Sequence, residues 1–300
     1  MSDNQVGIID IGSNTIRLCL YKNTKDILET YYTKKDFFGL QKYIYNNVDP
    51  AKAMSKMIHV VLDMNDDCKK FDVKPFIIGT SAIREISKIF DVEDYFFEHT
   101  SMKLDILSTE KEGIYSFLGA VNNLQPKKKI LLFDLGGGSL EVGEYHKKKL
   151  SNICSFPLGA LILSMRFFNG TKNLSQSINK CSIYVNSYLD QLKISKGNNG
   201  FIGIGGTIRN LGKIKLFNDN SNYDKSRINN MKIHITEIEE IIEKLMISDN
   251  SMKDIKALNP NRYKTILPGS IVILELLKKT GLNTINISVN GIREGYLMSH

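Results

Sequence analysis

Apolar and polar positions along the chain follow two alternating periods. Val6–Ile9 and Ile16–Tyr21 are short apolar or β-branched runs separated by the turn-forming GSN, which predicts a β-hairpin whose loop carries Asp10 and Gly12. Between residues 51 and 69, Met54, Met57, Ile58, Val61 and Leu62 recur at three- and four-residue steps, the spacing of an amphipathic helix. Pro75–Ile78 reads as a short buried strand and GTSAIREISKIF as a loop entering a helix. Leu104–Leu107 is another short strand, leading into STEKEGIYSFLGAV, a helix with Ser108 or Thr109 as its N-cap.

The pattern then restarts. Ile130–Phe133 and Glu141–Tyr145 again flank an Asp-Gly turn, LFDLGGGSLE, and Asp134, Gly136 and Val142 each follow Asp10, Gly12 and Leu18 by 124 residues. FIIGTSAIRE at 76–85 matches FIGIGGTIRN at 201–210, with Arg209 following Arg84 by 125. Two separate pairs of segments at nearly one offset imply a duplication. The expectation is a pair of homologous α/β domains, residues 1–125 and 126–300, the first ending near NNLQPKKK and the last helix packing back on it. Each domain presents an Asp-Gly turn and a strand–Gly–helix turn. With pseudo-twofold packing all four would face a shared interdomain cleft, since ligands of α/β proteins bind at strand ends and between domains.

Composition narrows the class. The chain of 300 residues is long enough for two sizeable cores, and its 42% hydrophobic and 24% charged content is that of a soluble globular protein. The net charge of +8 suits an anionic partner, although a Lys-rich chain is basic without one; the KKK runs at 127–129 and 147–149 read as solvated strand ends. Cys19, Cys68, Cys154 and Cys181 form no C-x-x-C pair, which favours a reducing, cytoplasmic setting over a disulfide framework. The N-terminus lacks a signal-peptide pattern and no apolar run reaches membrane-spanning length. Neither a nucleic-acid nor a membrane partner is expected.

The turns carry the candidate chemistry. A glycine-rich turn lets backbone N–H groups approach an anion without Cβ interference, and a helix beginning beside it adds partial positive charge. Gly12, Ser13 and Asn14, Gly136–Ser139 with Gly137 and Gly138, Gly79–Ser81 through Thr80, and Gly205, Gly206 and Thr207 all qualify. Asp10 and Asp134 sit at strand ends beside them. An acid next to a phosphate cradle repels phosphate unless a divalent cation intervenes, and Mg²⁺ takes one or two carboxylates with waters and phosphate oxygens. The alternative is that each Asp only caps a tight hairpin.

GIIDIGSNTIRL, GTSAIRE, LSTEKEGIYSFLGAV, LFDLGGGSLEVGE, FPLGA, GIGGTIRNLG and ILPGSIVILELL…SVNGIREGYL resemble, in order and over nearly the whole chain, the motifs of the exopolyphosphatase/guanosine-pentaphosphate phosphatase family. That resemblance implies the actin, sugar-kinase and heat-shock-chaperone ATPase superfold of two ribonuclease-H-like domains. It also implies Mg²⁺-assisted hydrolysis (Mn²⁺ being an alternative) of a terminal phosphoanhydride, with inorganic polyphosphate or guanosine pentaphosphate as substrate and a homodimeric assembly. Glu112 matches the family's catalytic base, though Thr109-x-x-Glu112 is also a capping box. Glu141 matches an acid that binds metal or holds the nucleophilic water, making Asp10, Asp134 and Glu141 the implied metal ligands. Arg84 matches a phosphate-binding Arg, whose fork gives two parallel hydrogen bonds; Arg17, Arg209 and Arg293 carry less weight, and Gly291 and Gly295 read as serving the turn into the last helix.

The chain departs from the family pattern at Leu140, where the family has Thr, at Thr109, where it has Gly, and at Gly113-Ile114 after the base. FPLGALILSMRF also lacks the acid before R-F. These departures bear on substrate and rate more than on reaction class. Rival readings are a guanosine pentaphosphate 5′-phosphohydrolase, a non-catalytic polyphosphate or nucleotide sensor, and a kinase of the same superfold.

Overall fold

The computed structural model describes residues 4–24, 27–122, 124, 128–195, 197–218, 225–247 and 262–300. The chain divides into two compact units, residues 1–112 with 296–300, and residues 113–295. The duplication boundary near residue 125 lies outside the described residues.

In the first unit, β1 (Asn4–Ile11), β2 (Ile16–Thr24) and β3 (Ile27–Asp36) form an antiparallel meander. There follow α1 (Leu40–Tyr45), α2 (Pro50–Lys70), β4 (Pro75–Gly79), α3 (Ser81–Ser87), α4 (Val92–Thr100), β5 (Asp105–Ile106) and the start of α5 (Thr109–Val121). The sheet runs β3-β2-β1-β4-β5, with β4 parallel to β1 and β5 parallel to β4. Helix α2 starts where Asp49 accepts from the Ala51 N–H and Pro50 takes the first turn, a position that needs no donor. Its Met54, Met57, Ile58 and Val61 meet Ile9, Ile11, Leu18 and Leu20 of the sheet in one apolar cluster.

The second unit comprises β6 (Ile130–Leu135), β7 (Leu140–His146), β8 (Lys149–Phe156) and α6 (Ala160–Leu163), which runs into a π-helical turn over Ser164–Phe168, then α7 (Leu174–Leu189). Then come β9 (Phe201–Gly205), α8 (Gly206–Asn218), a 3₁₀ turn at Lys225–Ile228, β10 (Lys232–His234), α9 (Ile235–Ile247), α10 (Tyr263–Thr280), β11 (Thr284–Ile287) and α11 (Ile292–Leu297), whose last two residues belong to the first unit. Its sheet order is β10-β11-β9-β6-β7-β8. Omitting β10, the order and directions repeat those of the first sheet, with β6, β7 and β8 in place of β1, β2 and β3, and β9 and β11 in place of β4 and β5. The register repeats too: Asp10 lies opposite Ile78 and Ile11 opposite Gly79, as Asp134 lies opposite Ile204 and Leu135 opposite Gly205. The internal repeat is therefore a repeat of topology and of strand pairing.

One local expectation is resolved and another changes. Ser108, not Thr109, caps α5: its Oγ accepts from the Lys111 N–H at 3.2 Å and its carbonyl accepts from the Glu112 N–H at 2.9 Å. Gly295 lies inside α11 rather than in the turn before it. A Cβ there would overlap the Tyr115 carbonyl, and one at Gly119 would overlap the Gly291 carbonyl. These glycines let α5 and α11 cross in backbone contact.

Candidate active site

The hairpin turns after β1 and β6 share one hydrogen-bonding scheme. The Gly12 N–H closes the first turn on the Thr15 carbonyl at 3.0 Å, and the Gly136 N–H closes the second on the Ser139 carbonyl at 3.0 Å. The carbonyls between are then taken up by the segment after the third strand. Ser13 O accepts from the Gln41 N–H (2.9 Å) and Asn14 O from the Gly39 N–H (3.0 Å); Gly136 O accepts from the Ala160 N–H and Gly137 O from the Leu161 N–H, both at 3.0 Å. With the carbonyls held toward the following helix, the N–H groups of Ser13, Asn14, Gly137 and Gly138 have no partner among the described residues. Such turns are built to receive acceptors. Gly159 keeps the second turn in place, because a Cβ at 159 would overlap the backbone of Gly137 and Gly138.

In the first unit, the turn after β1 meets the turn after β4: Ser13 Oγ and Ser81 Oγ share a hydrogen bond of 2.7 Å. Asn14 Nδ2 is fully enclosed and has no hydrogen-bond partner among the described residues. Thr80 is buried and its hydroxyl faces the Ile11 carbonyl at 3.4 Å. One turn along α3, Arg84 Nη1 lies 2.6 Å from Glu112 Oε2 and donates to the Leu107 carbonyl at 2.7 Å. The two side chains are 18% and 14% exposed, so the ion pair stands at the edge of solvent rather than in the core. Ser108 fills the capping role at the start of α5, so the Glu112 carboxylate is not needed as the cap. The Arg84 fork fixes its orientation instead.

In the second unit, Asp134 and Glu141 are directly opposite across β6 and β7, so both project from one face of the sheet. Helix α5 covers that face. Ser116 Oγ donates to Asp134 Oδ2, and a Cβ at Gly113 would stand 3.5 Å from Glu141 Cγ. Glu141 is 2% exposed and Oε1 accepts from Ser155 Oγ at 2.8 Å. Gly205 ends β9 at a φ of 105°, a backbone glycine takes freely, and a side chain there would reach Asp134 Oδ1 at 2.9 Å. The Arg262 guanidinium lies 2.8 Å from where a Gly206 Cβ would stand, bringing a cation to the start of α8. Ser139 and Thr207 are buried, Thr207 against Gly269 of α10. Leu140 is fully buried in the unit's apolar core, so that departure fills the core and leaves the turn's N–H groups as they are.

Sequence reasoning named Asp134 and Glu141 but not Ser116, Ser155 or Arg262. Ser116 follows Glu112 by one helical turn, a spacing that signals a shared face only once the helix is known to lie over β6 and β7. Arg209 Nη1 donates to the Val289 carbonyl at 3.1 Å, tying α8 to the segment before α11. No group of three His, Cys, Asp or Glu side chains among the described residues is arranged to hold a metal. The Asp134–Glu141 pair does fit Mg²⁺, which takes one or two carboxylates and completes its shell with water and phosphate.

A family model described as the Ppx/GppA phosphatase family matches residues 34–300. The bifunctional 3-dehydroquinate synthase/phosphatase of Fusobacterium nucleatum is 26% identical over 302 residues, which cover 94% of this chain and 44% of that protein. Exopolyphosphatase 1 of Mycobacterium leprae is 19% identical, with coverage of 98% and 88%. The chain spans about half the length of the first curated relatives it matches. The crystal structure of an Aquifex aeolicus Ppx/GppA protein superposes with a TM-score of 0.83 at 22% identity, covering 98% of this chain and 96% of that one. At that identity the match establishes the two-domain fold.

Proposed function

The chain belongs to the Ppx/GppA phosphatase family, and from that premise we propose that it hydrolyses the terminal phosphoanhydride bond of inorganic polyphosphate and releases orthophosphate. The observation that carries this reading is the repeated turn, in which carbonyls face inward and the N–H groups of Ser13, Asn14, Gly137 and Gly138 are left to bind anions. A chain of linked phosphates offers the repeating acceptor oxygens that a repeated donor turn suits. Phosphoryl transfer asks a protein for positioning and charge stabilisation more than for covalent chemistry.

In this reading Glu112 orients a water and takes its proton as the water oxygen attacks the terminal phosphorus. The bond from that phosphorus to the bridging oxygen breaks, and the electron pair leaves with the shortened chain. Arg84 holds the Glu112 carboxylate in place and presents its remaining N–H groups to the terminal phosphate. Asn14 Nδ2, enclosed within the first turn, donates to a phosphate oxygen, as do Ser81, Ser139, Gly205, Gly206 and Thr207 through backbone or hydroxyl, while Thr80, whose N–H and hydroxyl both bond the Ile11 carbonyl, holds the turn in place. Asp134 and Glu141 would hold Mg²⁺, with Asp10 as the equivalent acid of the first unit; bound there, the ion would offset charge on the carboxylates and on the phosphoryl oxygens. Ser116 and Ser155 orient the two acids. The positive charge of the chain raises the local concentration of a polyanion.

The test is phosphate release from long-chain polyphosphate and from guanosine pentaphosphate, side by side, by wild type and Glu112→Gln. We expect release from polyphosphate with a loss of roughly 10²- to 10⁴-fold in the variant, the range for removing a general base. Preferential release from guanosine pentaphosphate would reassign the substrate. Equal release by both proteins would remove Glu112 from its role, and no release from either substrate would make the protein a sensor.

A further inference from the structure

A cavity lies within the first unit, mostly toward the starting end of β4. Asp10, Gly79 and Thr80 cluster where β1 and β4 finish, whereas this cavity, of about 1220 Å³, is lined by Val73–Ile77 at the start of β4, by Ser101–Lys103 ahead of β5 and by Asp105, which pairs with Ile78. Its lining reaches the level of Asp10 only at Asp105, since both lie in register with Ile78, and it ends at Lys111, next to Glu112 on α5. Ligands of α/β sheets ordinarily bind at the finishing ends of strands. None of the residues of the Asp-Gly and strand–Gly–helix turns described above lines this cavity.

Its lining combines two kinds of group. Phe76 and Phe97 face it while remaining 40% and 59% exposed, an unusual state for large aromatic side chains. Phe76 stands edge-on to Tyr296 at 5.6 Å, and the Tyr296 ring is stacked on His300 at 4.1 Å. Tyr296 Oη donates to Asp105 at 3.0 Å, which fixes the cluster and engages that acid. Around this aromatic wall are four lysines, Lys69, Lys74, Lys103 and Lys111, against two acids, Asp72 and Asp105. Lys69 pairs with Asp66 at 2.7 Å; among the described residues no acid pairs with Lys74, Lys103 or Lys111.

We infer that this cavity binds a phosphorylated aromatic ligand of the nucleotide class, with its planar ring on the Phe76 and Phe97 side and its phosphates among Lys74, Lys103 and Lys111. Stacking on exposed aromatics tolerates any base, because every base has a π face. Lysines serve phosphates as mobile point charges. A polyphosphate chain alone would leave the aromatic wall without a partner, and an apolar ligand would leave the lysines without one. The volume is ample for a ligand of this size, since small-molecule sites typically enclose about 300–1,000 Å³.

The chain has no tryptophan, so the fluorescence of methylanthraniloyl-ADP can be followed without interference. The titration is run on the Glu112→Gln protein, in which the hydrolytic site is disabled, and on the same protein carrying Phe97→Ala or Lys74→Ala/Lys103→Ala. These positions are exposed, and thermal unfolding checks that each variant is folded. The expected result is saturable binding in the Glu112→Gln background, weakened tenfold or more by either second change. Unlabelled ADP should displace the probe at least tenfold more effectively than adenosine or tripolyphosphate. The inference is overturned by absence of saturable binding, by affinity unchanged in both second variants, or by tripolyphosphate competing as well as ADP. Because polyphosphate hydrolysis by Phe97→Ala alone is expected to match wild type, failure here leaves the proposed catalytic reading standing.

Discussion

Two ion pairs illustrate how the same chemistry serves different ends. Arg84 and Glu112 meet at the edge of solvent beside a donor-lined turn, where a carboxylate can still be reached by water. Asp67 is buried on α2 and is surrounded by Lys34 and Lys70 at 2.6 Å and the Tyr32 hydroxyl at 3.0 Å, so its charge is spent within the fold. Lys34 first, then Lys70, hold the Asp67 carboxyl well below the usual carboxylate range against the opposing effect of burial, with Tyr32 adding to the depression. Lys34 is held above the usual lysine range, chiefly by Asp63 and Asp67. Because the folded-state value of Asp67 is depressed, the stability it contributes is present above the unfolded carboxylate range and is lost as pH falls through the folded value. The urea midpoint of the wild-type chain should therefore fall as pH is lowered below about 4, where unfolded carboxylates begin to protonate. Asp67→Asn should have a lower midpoint at pH 7 and a shallower decline in acid. Parallel acid declines in the two proteins would show that Asp67 does not contribute in this way.

At the scale of elements, the contact between α5 and α11 sets where Ser116 stands over the acids of β6 and β7. Gly119 and Gly295 allow it, because a side chain at either would enter the backbone of the opposing helix. Gly281 is a different kind of glycine: it ends α10 at a φ of 68°, with nothing within 4 Å of where a Cβ would stand. Gly119→Ala should destabilise by about 1–3 kcal/mol, the usual cost of overpacking, and should lower phosphate release as α5 shifts. Gly281→Ala should cost roughly 1–2 kcal/mol through left-handed backbone strain alone and leave the specific activity of the folded enzyme intact. Thermal unfolding together with initial rates separates the two. A Gly119→Ala enzyme with wild-type turnover would show that the helix crossing does not position the site.

Over the whole molecule, the duplication is legible in the sequence because Asp10 and Asp134 carry glycines at matching offsets, and strand pairing repeats it, Asp10 opposite Ile78 as Asp134 is opposite Ile204, although those partners are 126 residues apart where the aligned segments are offset by 125. Helix α10 is not legible as a helix, since Pro268 and Gly269 interrupt its pattern; burial of nearly every residue from Thr265 to Leu277 overrides local propensity there. The orienting serines are hidden for a related reason, because Ser116 gains meaning only from the sheet that α5 covers. Charge is the property of the molecule that needs no fold to be read, and it makes the last prediction. A net charge of +8 attracts a long polyanion over a distance set by screening, about 10 Å at 0.1 M salt. Raising monovalent salt from roughly 50 to 300 mM should raise KM for long-chain polyphosphate several-fold and leave kcat nearly unchanged, since the donors at the turns act at contact distance. The effect should be smaller for tripolyphosphate, which reaches less of the basic surface. Equal salt dependence for the two substrates would assign recruitment to the turns alone, and a fall in kcat without a change in KM would move the salt effect to the chemical step.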